Sequence, residues 1–300
     1  MSKVALLTGI SGFIGNGLAK RLLDANWKVH AIIREETSKE SLRDLESKSN
    51  CTFHIHDGST ESMARIHLEN HFDIVFHLAS LYVANHKSNE VSGLIRSNIE
   101  FSTQLLQGMY EGGCKKIINI GSYNQHNNSK KFNPFNLYAS TKEAFQNILY
   151  FYHLEYDFSC LTLKLFDTYG SKDTRGKLLN LLVESIRDQS HLELSPGDQI
   201  IDLSHVTNII DHISNAGTYL SENEKTIWDK YLISGERLTV KELVARLEII
   251  LGKNFLGQFG GRPYRNREIM KPIEVKEIPP WSSKVKNLSL EEGIQELLDK

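Results

Sequence analysis

The chain has 300 residues, with 35 Lys plus Arg against 37 Asp plus Glu and a formal net charge of −2. That balance excludes a polybasic nucleic-acid or anionic-membrane binder as the first reading. A 40% hydrophobic and 24% charged composition excludes a disordered chain. The length fits one large α/β unit or a domain and a half. No run approaches the ~18 apolar residues of a membrane span. The N-terminal MSKVALLTGISGFIG has no signal-peptide cleavage region. Cys51, Cys114 and Cys160 are isolated and form no CxxC pair, which predicts a reducing, cytoplasmic setting without a disulfide framework or thiolate zinc site. The sequons Asn127-Asn128-Ser129 and Asn287-Leu288-Ser289 then read as chance matches.

In chain order, Val4–Thr8 predicts a strand, followed by a glycine turn and an amphipathic helix around Gly15–Asn26. Lys28–Arg34 predicts a strand, and the polar Glu35–Asn50 has helical charge spacing. Thr52–His56 and Phe72–Ala79 predict further strands. Val91–Glu111 reads as a long helix, Lys116–Gly121 as a strand, Asn124–Lys131 as a polar loop, Tyr138–Tyr156 as a second long helix and Leu161–Leu165 as a sixth strand. Strands alternating with helices predict parallel βαβ units, with ligands beyond the strand C-terminal ends. After about residue 168 the rhythm changes. Leu178–Asp188 and His205–Ser221 look helical, Leu192–Pro196 extended and Tyr231–Ser234 a short strand. Thr239 is the candidate N-cap of a helix over Val240–Leu251. Ser289 with Glu292 predicts a capping box before Leu290–Leu298. Of six prolines, Pro263, Pro272, Pro279 and Pro280 crowd the C-terminal stretch and only Pro134 and Pro196 precede them, so that stretch is expected to be irregular.

Thr8-Gly9-Ile10-Ser11-Gly12-Phe13-Ile14-Gly15 lies between the first strand and first helix. Glycines there allow the tight turn, close backbone approach to a diphosphate and helix–strand packing. The helix N-terminus offers free N–H groups to the anion. At the end of the second strand an acid favours NAD and an arginine NADP. Ile33-Arg34-Glu35 has no acid until Glu35, so NADP is predicted; NAD is the alternative, with Glu35 taking the ribose. Tyr138 and Lys142 stand at i and i+4 on one helix face. An adjacent ammonium favours the phenolate, which lets a tyrosine exchange a proton at a carbonyl or alcohol oxygen. His67 and His71, and His54 and His56, have metal-like spacings, but such histidines are more often surface or structural residues, and no metal is expected.

TGISGFIG, Asp57-Gly58, His77-Leu78-Ala79, Asn98, Ser122 and Tyr138-Ala139-Ser140-Thr141-Lys142 together resemble the extended short-chain dehydrogenase/reductase family, the nucleotide-sugar epimerase, dehydratase and reductase group. Leu163–Gly170 resembles its R-x-F-N-x-Y-G segment and Gly197–Asp202 its G-x-Q-x-R-D segment. The likeness runs along nearly the whole chain and is specific in the first 170 residues. It implies a Rossmann-type, doubly wound parallel sheet with a smaller C-terminal α/β cap. The dinucleotide domain would span 1–168 plus about 204–235, and the substrate domain about 169–203 plus 236–300. The implied cofactor residues are Gly9, Ser11, Gly12, Phe13, Ile14, Gly15, Arg34, Asp57, Gly58, Leu78, Ala79, Ser80, Asn98, Ile120, Tyr138, Lys142 and Leu165, with Asp57 facing the adenine. Ser122, Tyr138 and Lys142 would be catalytic: Ser122 on the reacting sugar oxygen, Tyr138 as acid/base, and Lys142 on the nicotinamide ribose and tuning Tyr138. Ser80, Tyr82, Ser122, Tyr123, Tyr138 and Asp167 would meet the nucleotide-sugar substrate.

Three positions depart from the pattern: Asp167 stands for an asparagine, and Ile201 and Lys164 for arginines. Arg262, Arg265 and Arg267 in the proline-rich stretch are then candidates for the substrate diphosphate, Arg267 foremost. Ser122 is followed by Tyr123-Asn124. It lacks the Asp-Glu pair of the 4,6-dehydratases and the cysteine of the GDP-fucose synthase type. The C-terminal half is similar to CDP-abequose and CDP-paratose synthases. These features predict an NADP-dependent 4-ketoreductase of a nucleotide-linked deoxysugar, serving activated-sugar, polysaccharide or O-antigen synthesis. A C-4 epimerase with tightly held NAD is the alternative, and a non-catalytic NADP-binding protein a further one. The family also implies a homodimer through the two long helices.

Overall fold

A computed structural model describes residues 2–127, 132–173 and 175–298. Residues 128–131 of the polar loop, with most of its sequon, lie outside the described residues. The first part alternates strictly: β1 (Val4–Thr8), α1 (Phe13–Asp24), β2 (Lys28–Ile33), α2 (Lys39–Glu46), β3 (Cys51–Ile55), α3 (Thr60–Glu69), β4 (Ile74–His77), α4 (Val91–Ile95), α5 (Phe101–Glu111), β5 (Lys116–Ser122), α6 (Leu137–Tyr156) and β6 (Ser159–Leu165). Then follow β7 (Asp167–Tyr169), α7 (Leu178–Asp188), β8 (Glu193–Leu194), β9 (Ile200–His205), α8 (Val206–Glu222), β10 (Trp228–Ile233), β11 (Glu236–Thr239), α9 (Val240–Leu251), β12 (Gln258–Phe259) and α10 (Leu290–Leu298).

Seven strands form one parallel sheet in the order β10-β6-β5-β4-β1-β2-β3. Strand order reverses between β1 and β4, so the crevice beyond their C-terminal ends is the ligand position of a doubly wound sheet. Alternate side chains supply opposite faces. Leu7 packs with Leu18 and Leu22 of α1 and Ile209 and Ile213 of α8, whereas Leu6 packs with Met63, Leu105 and Phe145 on the other side. Such strands are covered on both faces and read as continuous apolar runs, as β4 and β6 do. A third core joins Leu179, Leu182 and Ile186 of α7 to Leu243 and Leu247 of α9 and Ile294 of α10. Beside it, β7, β9 and β11 form a small mixed sheet.

The doubly wound α/β reading holds, with corrections at element scale. The sequence pattern predicts no helix between Gly58 and His71, yet α3 lies there, capped by the Ser59 hydroxyl accepting from Ser62 N–H at 3.1 Å. Its buried face, Ser62, Met63, Ile66 and His67, is half polar, which mutes the periodicity. The predicted helix over Val91–Glu111 contains a π-turn at Arg96–Glu100. The sixth and last sheet strands begin earlier than predicted, at Ser159 and Trp228. The predicted Ser289–Glu292 capping box forms, and the predicted N-cap Thr239 forms one as well, with Glu242. The proline-rich stretch is mostly irregular but pinned: Trp281 packs in the first core against Tyr219 and Tyr231. That residue comes from the segment assigned to the substrate domain, so the boundary is not a clean cut in the chain. The three cysteines are free thiols. Among the described residues no helix is long and apolar enough to cross a membrane.

Candidate active site

The glycine turn leaves no room for a side chain. Gly9 has φ +78°, and a Cβ there would stand 2.8 Å from the Ala79 nitrogen. A Cβ on Gly15 would stand 2.0 Å from the Gly9 carbonyl oxygen. Gly12 caps α1 and donates its N–H to the Gly9 oxygen at 3.0 Å. The backbone cradle therefore lies against Leu78 and Ala79 at the end of β4, where the strand order reverses. Thr8 ties the two sides together: its hydroxyl accepts from Ala79 N–H at 3.1 Å and bonds His77 Nδ1 at 2.9 Å. His77 also meets Ser102 Oγ at 2.9 Å, and burial lowers its pKa to about 3, so the ring is neutral structural support. Ile120 and Leu165 are buried in the core below, Ile14 packs against it, and Ser11 is exposed. A close-approach cradle at a helix N-terminus fits a dinucleotide diphosphate.

The other cofactor candidates lie farther along the same sheet edge. Arg34 follows β2 and is exposed, 3.4 Å from Glu36. Asp57 follows β3; its Oδ1 accepts from Ser59 N–H at 2.8 Å and from Ser59 Oγ–H at 2.6 Å. Gly58 sits at φ +94°, and its carbonyl accepts from Gln104.

The π-turn places Asn98 at the centre of the site. Asn98 Oδ1 accepts from Leu81 N–H at 2.7 Å and Ser80 Oγ–H at 3.2 Å. Its Nδ2 donates to the Leu81 carbonyl at 3.0 Å and to Thr141 Oγ1 at 2.9 Å. A π-turn widens a helix locally and recurs at functional positions. Here one buried amide joins the segment after β4 to α6, the helix carrying Tyr138 and Lys142. Asn136 caps α6 by accepting from Ala139 N–H at 2.9 Å.

Tyr138 packs edge-on against Tyr82, ring centres 5.0 Å apart. The residue is half-buried, and burial around the phenol pushes the pKa up to about 12, opposed by a hydrogen bond with Ser80 and the charge of Arg175. Ser80 and Arg175 are the groups that favour the phenolate against this burial. Lys142 is buried, and desolvation lowers its pKa to about 8. Ser122 ends β5, buried, with its Oγ accepting from Asn124 N–H at 3.3 Å. Ser80 is the side-chain hydroxyl that bears on the Tyr138 phenol, while its own Oγ–H donates to Asn98. Tyr123 stacks on Phe166 at 4.9 Å and donates to Asp167 Oδ2 at 3.3 Å; Lys177 pairs with Asp167 Oδ1 at 3.0 Å.

Gln125 and Glu143 escaped the motifs. Gln125 accepts from Ser122 N–H at 2.9 Å and bonds Glu143. Lys164 is buried 2.6 Å from His126 Nε2 and 3.8 Å from Glu143, and desolvation lowers its pKa to about 8. On β6 it stands beside Gly121 of β5. Ile201 packs against the third core, so no cation takes its place on β9. Of the three C-terminal arginines, Arg265 has a charge that acts on the Tyr82 phenol. Arg267, in a left-handed conformation (φ +61°), spends its NH2 on Asn133 at 2.5 Å. The histidine spacings dissolve: buried His67 packs on Phe72 while His71 faces Asp73 outside. His54 pairs with His30, and His56 with Gln104. Among the described residues no group of three or more His, Cys, Asp or Glu gathers as a metal site.

This arrangement can be set beside known proteins. CDP-abequose synthase of Yersinia pseudotuberculosis is 29% identical over 274 residues, covering 89% of this chain and 90% of the relative. The Salmonella typhimurium protein of that name is 24% identical over 99% of this chain and 98% of its own. Among solved structures, UDP-glucose 4-epimerase of Thermotoga maritima superposes with TM-score 0.82 at 22% identity, covering 99% of this chain and 97% of that one. UDP-glucuronic acid 4-epimerase of Bacillus cereus, solved with UDP-glucuronic acid and NAD, gives TM-score 0.82 at 21% identity, covering 99% and 98%. At such identities the structural likeness shows the fold. Residues 5–227, which carry the cradle and the Tyr138–Lys142 helix, match the model of the NAD dependent epimerase/dehydratase family, and to that family this chain belongs.

Proposed function

We propose that the protein is an NADP-dependent reductase of a nucleotide-linked 4-keto-deoxysugar. The observation that carries this reading is the site beyond β5. Tyr138 and Lys142 are present, but the two residues after Ser122 are Tyr123, bonded to Asp167, and a buried Asn124, with no carboxylate or thiol for elimination or double epimerisation. The names of the two CDP-abequose synthase relatives support a CDP-sugar. Arg34 at the end of β2, with no acid in its place, supports NADP. The third core would form the substrate side of the site.

When bound, the nicotinamide supplies hydride to C-4 of the sugar. The chain's residues manage the proton. Tyr138 holds its proton through burial and gives it to the C-4 oxygen, so the ketone becomes an alcohol. Ser80 lies against the phenol and takes up the hydrogen bond that the departing proton vacates. Lys142 lends a buried positive charge on the same helix face. Ser122, held through Gln125 and Asn124, presents its hydroxyl to the sugar oxygen.

The deciding measurement is NADPH consumption with CDP-, dTDP- and GDP-linked 4-keto-6-deoxy sugars; stoichiometric consumption is expected. Interconversion of nucleotide sugars without net NADPH loss overturns the reading in favour of a C-4 epimerase with tightly held NAD. That second reading is favoured by the fold shared with two 4-epimerases. A homodimer fits the exposed Tyr110, Phe151 and Leu154 on the long helices, and sedimentation tests it.

A further inference from the structure

The segment between β7 and α7 brings a cation into the site that no motif announces. Arg175 is fixed by a two-pronged pair with Asp173, Nε to Oδ1 at 2.6 Å and NH2 to Oδ2 at 2.7 Å. Its NH2 also donates to the Thr168 carbonyl at 3.0 Å. The Asp173 side chain is wholly withdrawn from solvent, so this fork is anchored. Nε and NH2 are thereby committed, while NH1 has no acceptor among the described residues. The guanidinium carbon lies 4.9 Å from the centre of the Phe13 ring. Phe13 is the first residue of α1, directly after Gly12, where helix N–H groups lack partners within the helix. Arg175 thus reaches from β7 to the anion-seeking end of the glycine turn. The same charge also acts on the phenols of Tyr138 and Tyr82.

We infer that the free NH1 edge of Arg175 takes a diphosphate oxygen, clasping the ligand between the β7–α7 segment and the glycine turn. The inference rests on the dinucleotide reading of that turn and is independent of the reduction step. Guanidinium is suited to the contact because its planar donors give charge-assisted hydrogen bonds to phosphate oxygens. Two molecules carry such a group, the dinucleotide and the nucleotide sugar. Contact with Phe13 favours the dinucleotide.

The test is isothermal titration of the full chain, as wild type, Arg175→Gln and Arg175→Lys. NADP+ and NAD+ form one arm; CDP, UDP and dTDP form the other. Arg175→Gln is expected to weaken dinucleotide binding about tenfold or more and leave nucleoside diphosphates unchanged. Because Arg175→Gln strands the buried Asp173 carboxylate, Arg175→Lys is the second variant. It keeps a cation beside Asp173 but lacks the planar fork, and a severalfold loss of dinucleotide affinity with wild-type thermal melting is expected. Weakening confined to the nucleoside diphosphates overturns the dinucleotide assignment. Unchanged affinity in both arms overturns the clasp. A wild-type chain that binds neither dinucleotide defeats the cofactor reading as well, a result distinct from variants that bind as the wild type does.

Discussion

At the scale of single residues, half-buried Tyr138 and buried Lys142 sit in surroundings that work against their charged forms. Tyr138 is held at about 12 and Lys142 at about 8. Tyr138→Phe is expected to lower turnover by about 10²–10⁴-fold while dinucleotide binding persists. Unchanged turnover removes Tyr138 from the mechanism. Lys142 has a folded-state pKa below its unfolded value, so its buried ammonium opposes folding at every pH below about 8. Lys142→Met is therefore expected to stabilise the ligand-free protein by about 3 kcal/mol while abolishing turnover. Chemical unfolding and the reductase assay measure the two effects; a less stable Lys142→Met protein contradicts the burial argument. Tyr138 and Lys142 were legible from spacing and resemblance. Arg175 was not, because its place depends on Phe13, which the chain sets far from it and the fold brings near.

At the scale of elements, the π-turn before α5 converts a helix into a bracket for the site. Apolar spacing predicts the helix but not the turn, because periodicity records a buried face and not one inserted residue. Asn98→Ala removes four hydrogen bonds to Ser80, Leu81 and Thr141. Each lost hydrogen bond costs about 0.5–1.5 kcal/mol, the most at buried Thr141. The expected outcome is a lower melting temperature and a turnover number that falls more than substrate affinity, because Ser80 loses its tether. Wild-type kcat in this variant contradicts the bracket. α3 was missed for a related reason: His67 and Ser62 occupy half its inner face, and polar residues there hide a helix that tertiary packing buries.

At the scale of the whole molecule, three histidines are sealed into different layers. Burial lowers His67 to about 4, His212 to about 4 and His77 to about 3. Their folded-state pKa values lie below the unfolded 6.5, so the unfolded chain binds more protons in that interval. Stability is complete above about 6.5 and declines as pH falls toward about 4. Urea unfolding across that window is expected to show the decline, with His67→Phe flattening part of it. A stability that rises on acidification contradicts neutral burial of these rings. His77 is bonded between Thr8 and Ser102, and His67 packs on Phe72.

The sequence by itself determined the layered α/β architecture, the glycine turn and the Tyr138–Lys142 pair. These depend on local spacing: apolar runs separated by helical periods, glycines where no Cβ fits, and two side chains one helical turn apart. Tertiary structure decided which groups serve them. It set Ser80 against the Tyr138 phenol, buried Lys164 against His126, gave Arg267 to Asn133 and brought Arg175 over Phe13. Each pairing joins segments far apart in the chain, and a side chain's partner there is fixed by how whole layers pack, which local spacing does not record.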